Sequence, residues 1–594
     1  MEDLNRALHL QPRLQSWLAF PRCLWLSLSL ATLLALPGLW TGFFIDDLFH
    51  IIILEGGDLP GQAIHLFRFG PGDSEAIRPY MDVGIYPWWT LPEFKANFWR
   101  PISCLLARLD HSLFARKAFF YHIHSLLWYL LLISGLGILF KKKMTAFTGG
   151  LALLLFAVDD VHWFPVTWIA NRNALLAATL ALWGFLAHLK WRESARVWGA
   201  PLSLLGYGLG LLAGETALSV LAYVATYELL GRKDAWRGKI LGLTPMMTMV
   251  FLYLFLYKTL DYGAYGSGLY IDPIREPLPY LREAPFRLLS LLGTLLLSVP
   301  SDPWAFIPLL RPLLIGSGIA GILLFLWLTK RLRGDIPEED WSALCWMVPG
   351  AFLSLLPLAC TFPSNRLLLV PSLGSNAFIA SLLVAIWTRK YFGRLQRAVG
   401  LSGIYLAITG LLLPMASWPL HSLIVHHFMQ KSHTSYLEAE MDDERIESQH
   451  VILLVAPEPL TCLYPILVRT FEGYPRPIAW RVLSSAPYSH RLSRPEPNVL
   501  ELEVVDGVLL GSDFERLTRS SRFPFKKGDH VFLEGMMVTI LETRKGYPYH
   551  IRFSFEQDLD SSLYHLLKWD KGLHHIEVPA PGDTLFLPRL HPLY

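Results

Sequence analysis

Apolar residues recur in runs of about 20, the length needed to cross a hydrocarbon core, from Pro21 to Pro419. The pattern predicts eleven spans, at 21–40, 121–140, 144–158, 168–189, 197–213, 216–231, 240–257, 309–329, 343–360, 367–388 and 398–418. The first begins after 20 residues and has no small-residue cleavage site before Asp46, so it reads as a span and not as a cleaved signal peptide. A further apolar stretch, 285–299 (PFRLLSLLGTLLLSV), is short and is bounded by Pro300 and Pro303. It reads as a re-entrant or interfacial helix, because a crossing there would carry the basic cluster at 330–333 to the wrong face. Beyond Pro419 the period changes. A polar linker at 428–447 precedes strand-like runs at Val451–Val455, Leu500–Val505, His530–Leu533 and His550–Phe555, broken by Gly, Pro and Asp.

Composition agrees with a chain that lies mostly in lipid. Of its 594 residues 53% are hydrophobic and only 17% are charged, short of the about 25% usual for soluble proteins. That rules out a disordered, collagenous or ordinary cytosolic chain, and the net charge of +3 gives no reason to expect a nucleic-acid partner. Residues 430–594 hold 18 Lys and Arg against 23 Asp and Glu, so an acidic tail follows a basic membrane part. Lys and Arg gather at 141–143, 190–196, 232–239, 330–333 and 389–397, while the alternate turns at 159–167 and 361–365 have none. The basic loops are therefore expected on the cytoplasmic side, with the N-terminus and its Arg6, Arg13 and Arg22. Eleven crossings then carry the C-terminus outside. The five cysteines form no CxxC and no disulfide framework.

The expected organisation is a transmembrane domain over 1–427, with extracytoplasmic loops at 41–120 and 258–308, the linker at 428–447, and a β-rich extracytoplasmic domain over 448–594. The aromatic run Tyr86-Pro87-Trp88-Trp89 predicts that the first loop packs on the membrane surface.

The informative charges are the few on the outer side. Asp46-Asp47 directly follows the first span, where two carboxylates are costly unless solvated, paired or metal-bound. They read either as a solvated helix end or as a general base with an orienting acid. Arg100, Arg172 and Arg366 sit against the positive-inside bias at the starts of later spans. Each alone reads as an interfacial arginine with its head in water; three together suit a phosphate, which guanidinium binds bidentately. Asp159-Asp160-Val161-His162 and Gly214-Glu215-Thr216 occupy short turns on the same side. His122 and His124 stand about 200° apart around a helix, so they do not share a ligand.

In this order the residues resemble the polytopic glycosyltransferases of the GT-C superfamily, in the branch of the transmembrane-and-TPR O-mannosyltransferases and their bacterial relatives. The matching elements are Phe44-Ile45-Asp46-Asp47, Arg100-Pro101, Tyr121-His122, His162, Trp168-Ile169-Ala170-Asn171-Arg172, Gly214-Glu215 and Arg366 through Pro371-Ser372. The resemblance covers roughly 25–390. It departs at Asp159-Asp160, where the family has His-Pro; at Phe164, where it has an acid; at Gly214, where it has Lys; and in having no TPR array.

The resemblance implies a GT-C-like polytopic α-helical membrane protein. Its implied reaction moves a sugar from a polyprenyl- or dolichyl-phosphate-linked donor to a glycan, lipid or protein acceptor at the extracytoplasmic face. Asp46 and Asp47 would be the catalytic acids, Arg100, Arg172 and Arg366 the donor-phosphate residues, and His122, His162, Asp160 and Glu215 secondary contacts. A divalent cation, Mg or Mn, held by Asp46 and Asp47 is compatible but not required. None of the seven asparagines starts an N-x-Ser/Thr sequon, which points to a bacterial inner (cytoplasmic) membrane. Two alternatives remain: a lipid-linked sugar flippase, which would carry charges at mid-membrane and inverted repeats, and an inactive scaffold whose tail binds the cell envelope.

Overall fold

The computed structural model describes residues 16–194, 196–388 and 394–590. Arg6, Arg13, Arg389 and Lys390, used above for orientation, lie outside the described residues. The chain clusters into two compact units, each discontinuous in sequence.

The first unit comprises Met1–Phe43, Trp99–Asp261 and Pro277–His426 and holds the helical bundle. Among the described residues eight helices are long and apolar enough to cross a membrane, the last running from Gln396 to Leu437. A bent pair, Ala146–Val158 with Asp160–Thr167, makes a ninth candidate, and Gly199–Ala213 and Ala217–Gly231 are shorter apolar helices. Together they match the eleven segments read from hydropathy. Small residues let neighbours approach closely. A Cβ at Gly184 would lie 2.6 Å from the Tyr207 amide nitrogen, and one at Gly206 would lie 2.9 Å from the Gly184 Cα. The helices Arg172–Ser194 and Gly199–Ala213 therefore touch backbone to backbone.

The two ends of this bundle differ. At one end the basic loops are tied to carboxylates. Lys142 and Lys143 pair with Glu193, and Arg192 reaches Glu228 at 2.8 Å and Asp234 at 2.9 Å. At the other end lie the turns at 159–173, 214–216 and 361–372. The stretch 285–299 is part of a helix, Pro277–Leu297, that is absent from the crossing-length apolar set. Tyr280 donates to the Leu356 carbonyl at 2.9 Å and Arg287 to the Ala359 carbonyl at 3.2 Å. Just past its other end, Asp302 accepts from the Ser364 hydroxyl at 2.7 Å. The first half of the helix thus meets 356–359, and the Leu297 carbonyl at its far end accepts from the Tyr405 hydroxyl at 2.5 Å. Leu291 and Leu295 seal it against Val161, Leu355, Leu358 and Leu368.

The second unit comprises Phe44–Phe98, Tyr262–Glu276 and His427–Tyr594. Among the described residues it holds three sheets. Arg68–Pro71, Lys95–Asn97 and Gly263–Tyr265 form a small antiparallel sheet that joins the two predicted loops. Leu573–His575, Tyr564–Trp569, His450–Val455 and Ala479–Ser484 form a four-stranded sheet whose last three strands are parallel neighbours. The helix Tyr464–Glu472 crosses between the parallel strands His450–Val455 and Ala479–Ser484, giving a βαβ unit. Six antiparallel strands make the third sheet.

One expectation needs correction. The aromatic run of the first loop does not lie on a membrane surface. Trp88 and Trp89 are buried, and Trp88 donates to the Leu483 carbonyl at 3.1 Å. Leu91 also donates its amide to the Thr518 carbonyl at 3.0 Å, so the loop completes the core of the C-terminal β-rich region. The polar stretch from 428 begins as helix, which continues to Leu437. Its polar residues satisfy helix geometry as well as its apolar ones do, and only the hydropathy falls.

Candidate functional site

Asp46 and Asp47 open the helix Asp46–Leu54 in the second unit. The residue before them, Ile45, sits at φ 53, which is a strained conformation for a β-branched side chain and costs about 1–3 kcal/mol. Asp47 is buried at 1% exposure, and its Oδ2 accepts from the Phe44 amide at 3.2 Å. Both carboxylates lie in the first turn, where the helix dipole favours negative charge. The helix Tyr464–Glu472 contributes the Tyr464 hydroxyl. Burial, with the charges of Asp46 and Asp47, holds its pKa far above the usual phenol range. A narrow cavity here is lined by Phe44, Ile45, Leu48, Tyr436, Glu458 and Tyr464, among others. Burial pushes the Glu458 carboxyl up to about 7. Sequence reading missed both Tyr464 and Glu458, for neither stands in a recognisable spacing.

The arginines, the histidines, Asp160 and Glu215 belong to the first unit. Arg100 pairs with Glu215 at 2.8 Å, and Glu215 also accepts from the Tyr257 hydroxyl at 3.3 Å. Arg172 is buried and pairs with Asp110, a residue that sequence reading did not single out. Asp110 in turn meets His124 Nδ1 at 2.7 Å. Arg366 donates to Asn171 Oδ1 at 3.3 Å, and its guanidinium carbon lies 5.4 Å from the Trp168 ring centroid. Near it, burial raises the Asp302 carboxyl above its usual range, an effect that hydrogen bonds from Ser364 and Asn365 and the charge of Arg366 oppose.

These contacts converge on one tripeptide. Asn171 receives Arg366, Arg172 takes Asp110, and the Asn173 carbonyl lies 3.2 Å from where a Cβ on Gly214 would stand. Gly214, where the resembled family has Lys, is thus packed closely against that carbonyl.

His162 lies between the Tyr129 hydroxyl at 3.0 Å and the Ser372 hydroxyl at 2.9 Å, linking the bent span to the Pro371-Ser372 element. Asp160 accepts from Ser417, and Asp159 accepts from Asn376 at 3.0 Å. His122 contacts Thr41 at 3.3 Å and the Gly42 carbonyl at 3.1 Å. His122 and His124 therefore serve different partners, as their spacing predicts. Among the described residues no three His, Cys, Asp or Glu side chains are grouped to hold a metal ion.

No family model matches the chain. The human protein O-mannosyl-transferase TMTC3 is 24% identical over 352 residues, which are 50% of this chain and 37% of that protein. Its mouse counterpart is 24% identical over 334 residues, or 48% and 35%. The chain thus spans little more than a third of the length of these curated relatives. A crystal structure of the Archaeoglobus fulgidus oligosaccharyltransferase tethered with an acceptor peptide is 11% identical with a TM-score of 0.40, covering 78% of this chain and 64% of that one. ArnT from Cupriavidus metallidurans bound to undecaprenyl phosphate is 13% identical with a TM-score of 0.35, covering 76% and 84%. By sequence, about half of this chain is similar to protein O-mannosyl-transferases, the kind of protein that its motifs resemble.

Proposed function

We propose that the chain is a membrane glycosyltransferase that takes a sugar from a polyprenyl-phosphate-linked donor and attaches it to an acceptor hydroxyl at the extracytoplasmic face. The observation that carries this reading is Asp46-Asp47, held at a strained helix start in a segment matching the resembled branch.

In the proposed reaction the acceptor oxygen attacks the sugar C1 from the side opposite the phosphate. The new C1–O bond forms as the C1–O(phosphate) bond breaks, which inverts C1. One carboxylate of the Asp46/Asp47 pair takes the acceptor proton, and its neighbour orients it. The polyprenyl phosphate leaves as an anion that guanidinium groups neutralise. Arg366 leads that role because it meets an amide oxygen and two aromatic rings, and its nearby carboxyl, Asp302, is held by Ser364 and Asn365 and feels Arg366 only through its charge. Arg100 and Arg172 already neutralise Glu215 and Asp110, so engaging a phosphate would require them to exchange partners. Glu215 supports Arg100, and His122, His162 and Asp160 are kept as secondary residues of the first unit. Asp46 and Asp47 would hold a divalent cation if one binds, and it would add charge neutralisation to the step.

Lateral entry between spans suits a lipid-linked donor, and the basic loops favour a cytoplasmic N-terminus with the second unit outside. The test is transfer of a labelled sugar from a polyprenyl-phosphate-linked donor by the purified chain, with the acid and arginine variants described below.

A further inference from the structure

The second unit also carries an open cleft of about 880 Å³ that shares no residue with the cavity at Asp46 and Asp47. Asp58, Tyr80, Glu447, Tyr474, Arg476 and Ile478 are among its walls.

One wall is a built turn. Gly473, at φ 79, ends the helix Tyr464–Glu472 and lets the chain swing into Pro475-Arg476-Pro477. Arg469 fixes this turn from beneath. It is 1% exposed, donates to the Pro475 carbonyl at 3.2 Å and pairs with Asp443. Its guanidinium carbon also lies 5.2 Å from the Tyr474 ring centroid. Tyr474 is thus backed by a buried cation yet remains 40% exposed, a ring presented outward. Opposite, the helix Ser74–Asp82, capped by Asp73, supplies Tyr80. That ring packs edge-on against Tyr86 at 6.4 Å, and its hydroxyl bonds Asp58.

The chemistry of this cleft narrows its occupant. Two carboxylates against one guanidinium disfavour a phosphate or an acidic ligand. The lining mixes charged, aromatic and small apolar groups, unlike the continuous apolar tube an acyl chain needs. A neutral sugar fits both properties. Its C–H faces lie against aromatic rings, and its neighbouring hydroxyls pair with the two oxygens of a carboxylate or the forked donors of a guanidinium. We propose that this cleft is a binding site for neutral oligosaccharide, gripped by Tyr80 and Tyr474 and read by Asp58, Glu447 and Arg476. The site goes beyond sugar transfer, and binding there requires no donor and no turnover.

The full chain in lipid nanodiscs is titrated with mannotriose, maltotriose and chitotriose, followed by saturation-transfer NMR. An unglycosylated peptide is tested alongside. At least one trisaccharide is expected to bind, with about tenfold weaker affinity in Tyr474→Ala and in Asp58→Asn, and unchanged affinity in Phe532→Ala, an exposed aromatic on another strand. Tyr474 is exposed, so its loss should leave the melting temperature unchanged and any binding defect local. Binding by none of the three sugars, equal binding by Tyr474→Ala, or displacement of the sugar by the peptide would overturn the proposal. None of these outcomes bears on transfer, which is scored separately.

Discussion

Arg172 and Asp110 form an ion pair inside the helical bundle, their side chains only 4% and 2% exposed. The pair ties the start of the helix Arg172–Ser194 to the helix Pro101–Phe114, and Asp110 extends it to His124. Truncating one partner leaves the other charge buried and uncompensated. Asp110→Ala should therefore destabilise the chain by about 3–5 kcal/mol. Adding Arg172→Met should recover part of that loss. Thermal unfolding in detergent compares the single and double variants, and additive losses would contradict the pairing.

Arg366 is the opposite case. Asn171, Trp168 and Phe362 hold its position, and the carboxyl it acts on, Asp302, is bonded to Ser364 and Asn365 and not to the guanidinium. Arg366→Ala is expected to lower sugar transfer by about 10²-fold while leaving the unfolding midpoint nearly unchanged, with Arg366→Lys intermediate. A large stability loss with proportionate activity loss would mark it as structural.

The eleven apolar segments were legible because length and hydropathy are local properties, and a span needs little else. What escaped the sequence depends on partners far apart in the chain. Trp88 was read as a membrane-surface aromatic, yet its acceptor is the Leu483 carbonyl of a strand in the tail. Asp110 stands in an ordinary amphipathic stretch, and only the fold brings Arg172 to it. Arg100 and Glu215 were both singled out, but nothing in their spacing pairs them. Tyr464 and Glu458 reach the Asp46 cavity through the βαβ crossover, a connection the alternating strand signals did not reveal. The strand Ala479–Ser484 is buried throughout, so it lacks the alternation by which strands are read.

Glu458 gives a pH prediction. Burial raises its carboxyl to about 7, above its unfolded value near 4.5. The folded state therefore holds this proton more tightly, and the stabilisation is full below about 4.5 and lost as pH rises through about 7. Glu458→Gln should remove that dependence and melt higher than wild type at pH 8, by up to about 2 kcal/mol after allowing for partial solvent access. Melting curves at pH 5 and pH 8 check it. An unchanged pH dependence in the variant would contradict the assignment.

Gly84 offers a packing test in the second unit. Its φ of 85 is left-handed, and an added Cβ would collide with the Trp480 carbonyl. Gly84→Ala should cost more than about 1 kcal/mol, because the obstacle is backbone and cannot turn aside. Proteolysis of the folded chain would register the loosened contact between the first loop and the strand Ala479–Ser484. Equal resistance to protease would contradict it.

The central claim rests on Asp46 and Asp47, and one measurement addresses it. Purified wild type, Asp46→Asn and Asp47→Asn are given a radiolabelled polyprenyl-phosphate sugar, and release of polyprenyl phosphate is followed together with label on the acceptor. Wild type should transfer, and at least one substitution should lower the rate by about 10²-fold or more without altering thermal stability, as loss of a general base requires. Undiminished transfer in both variants would contradict the account.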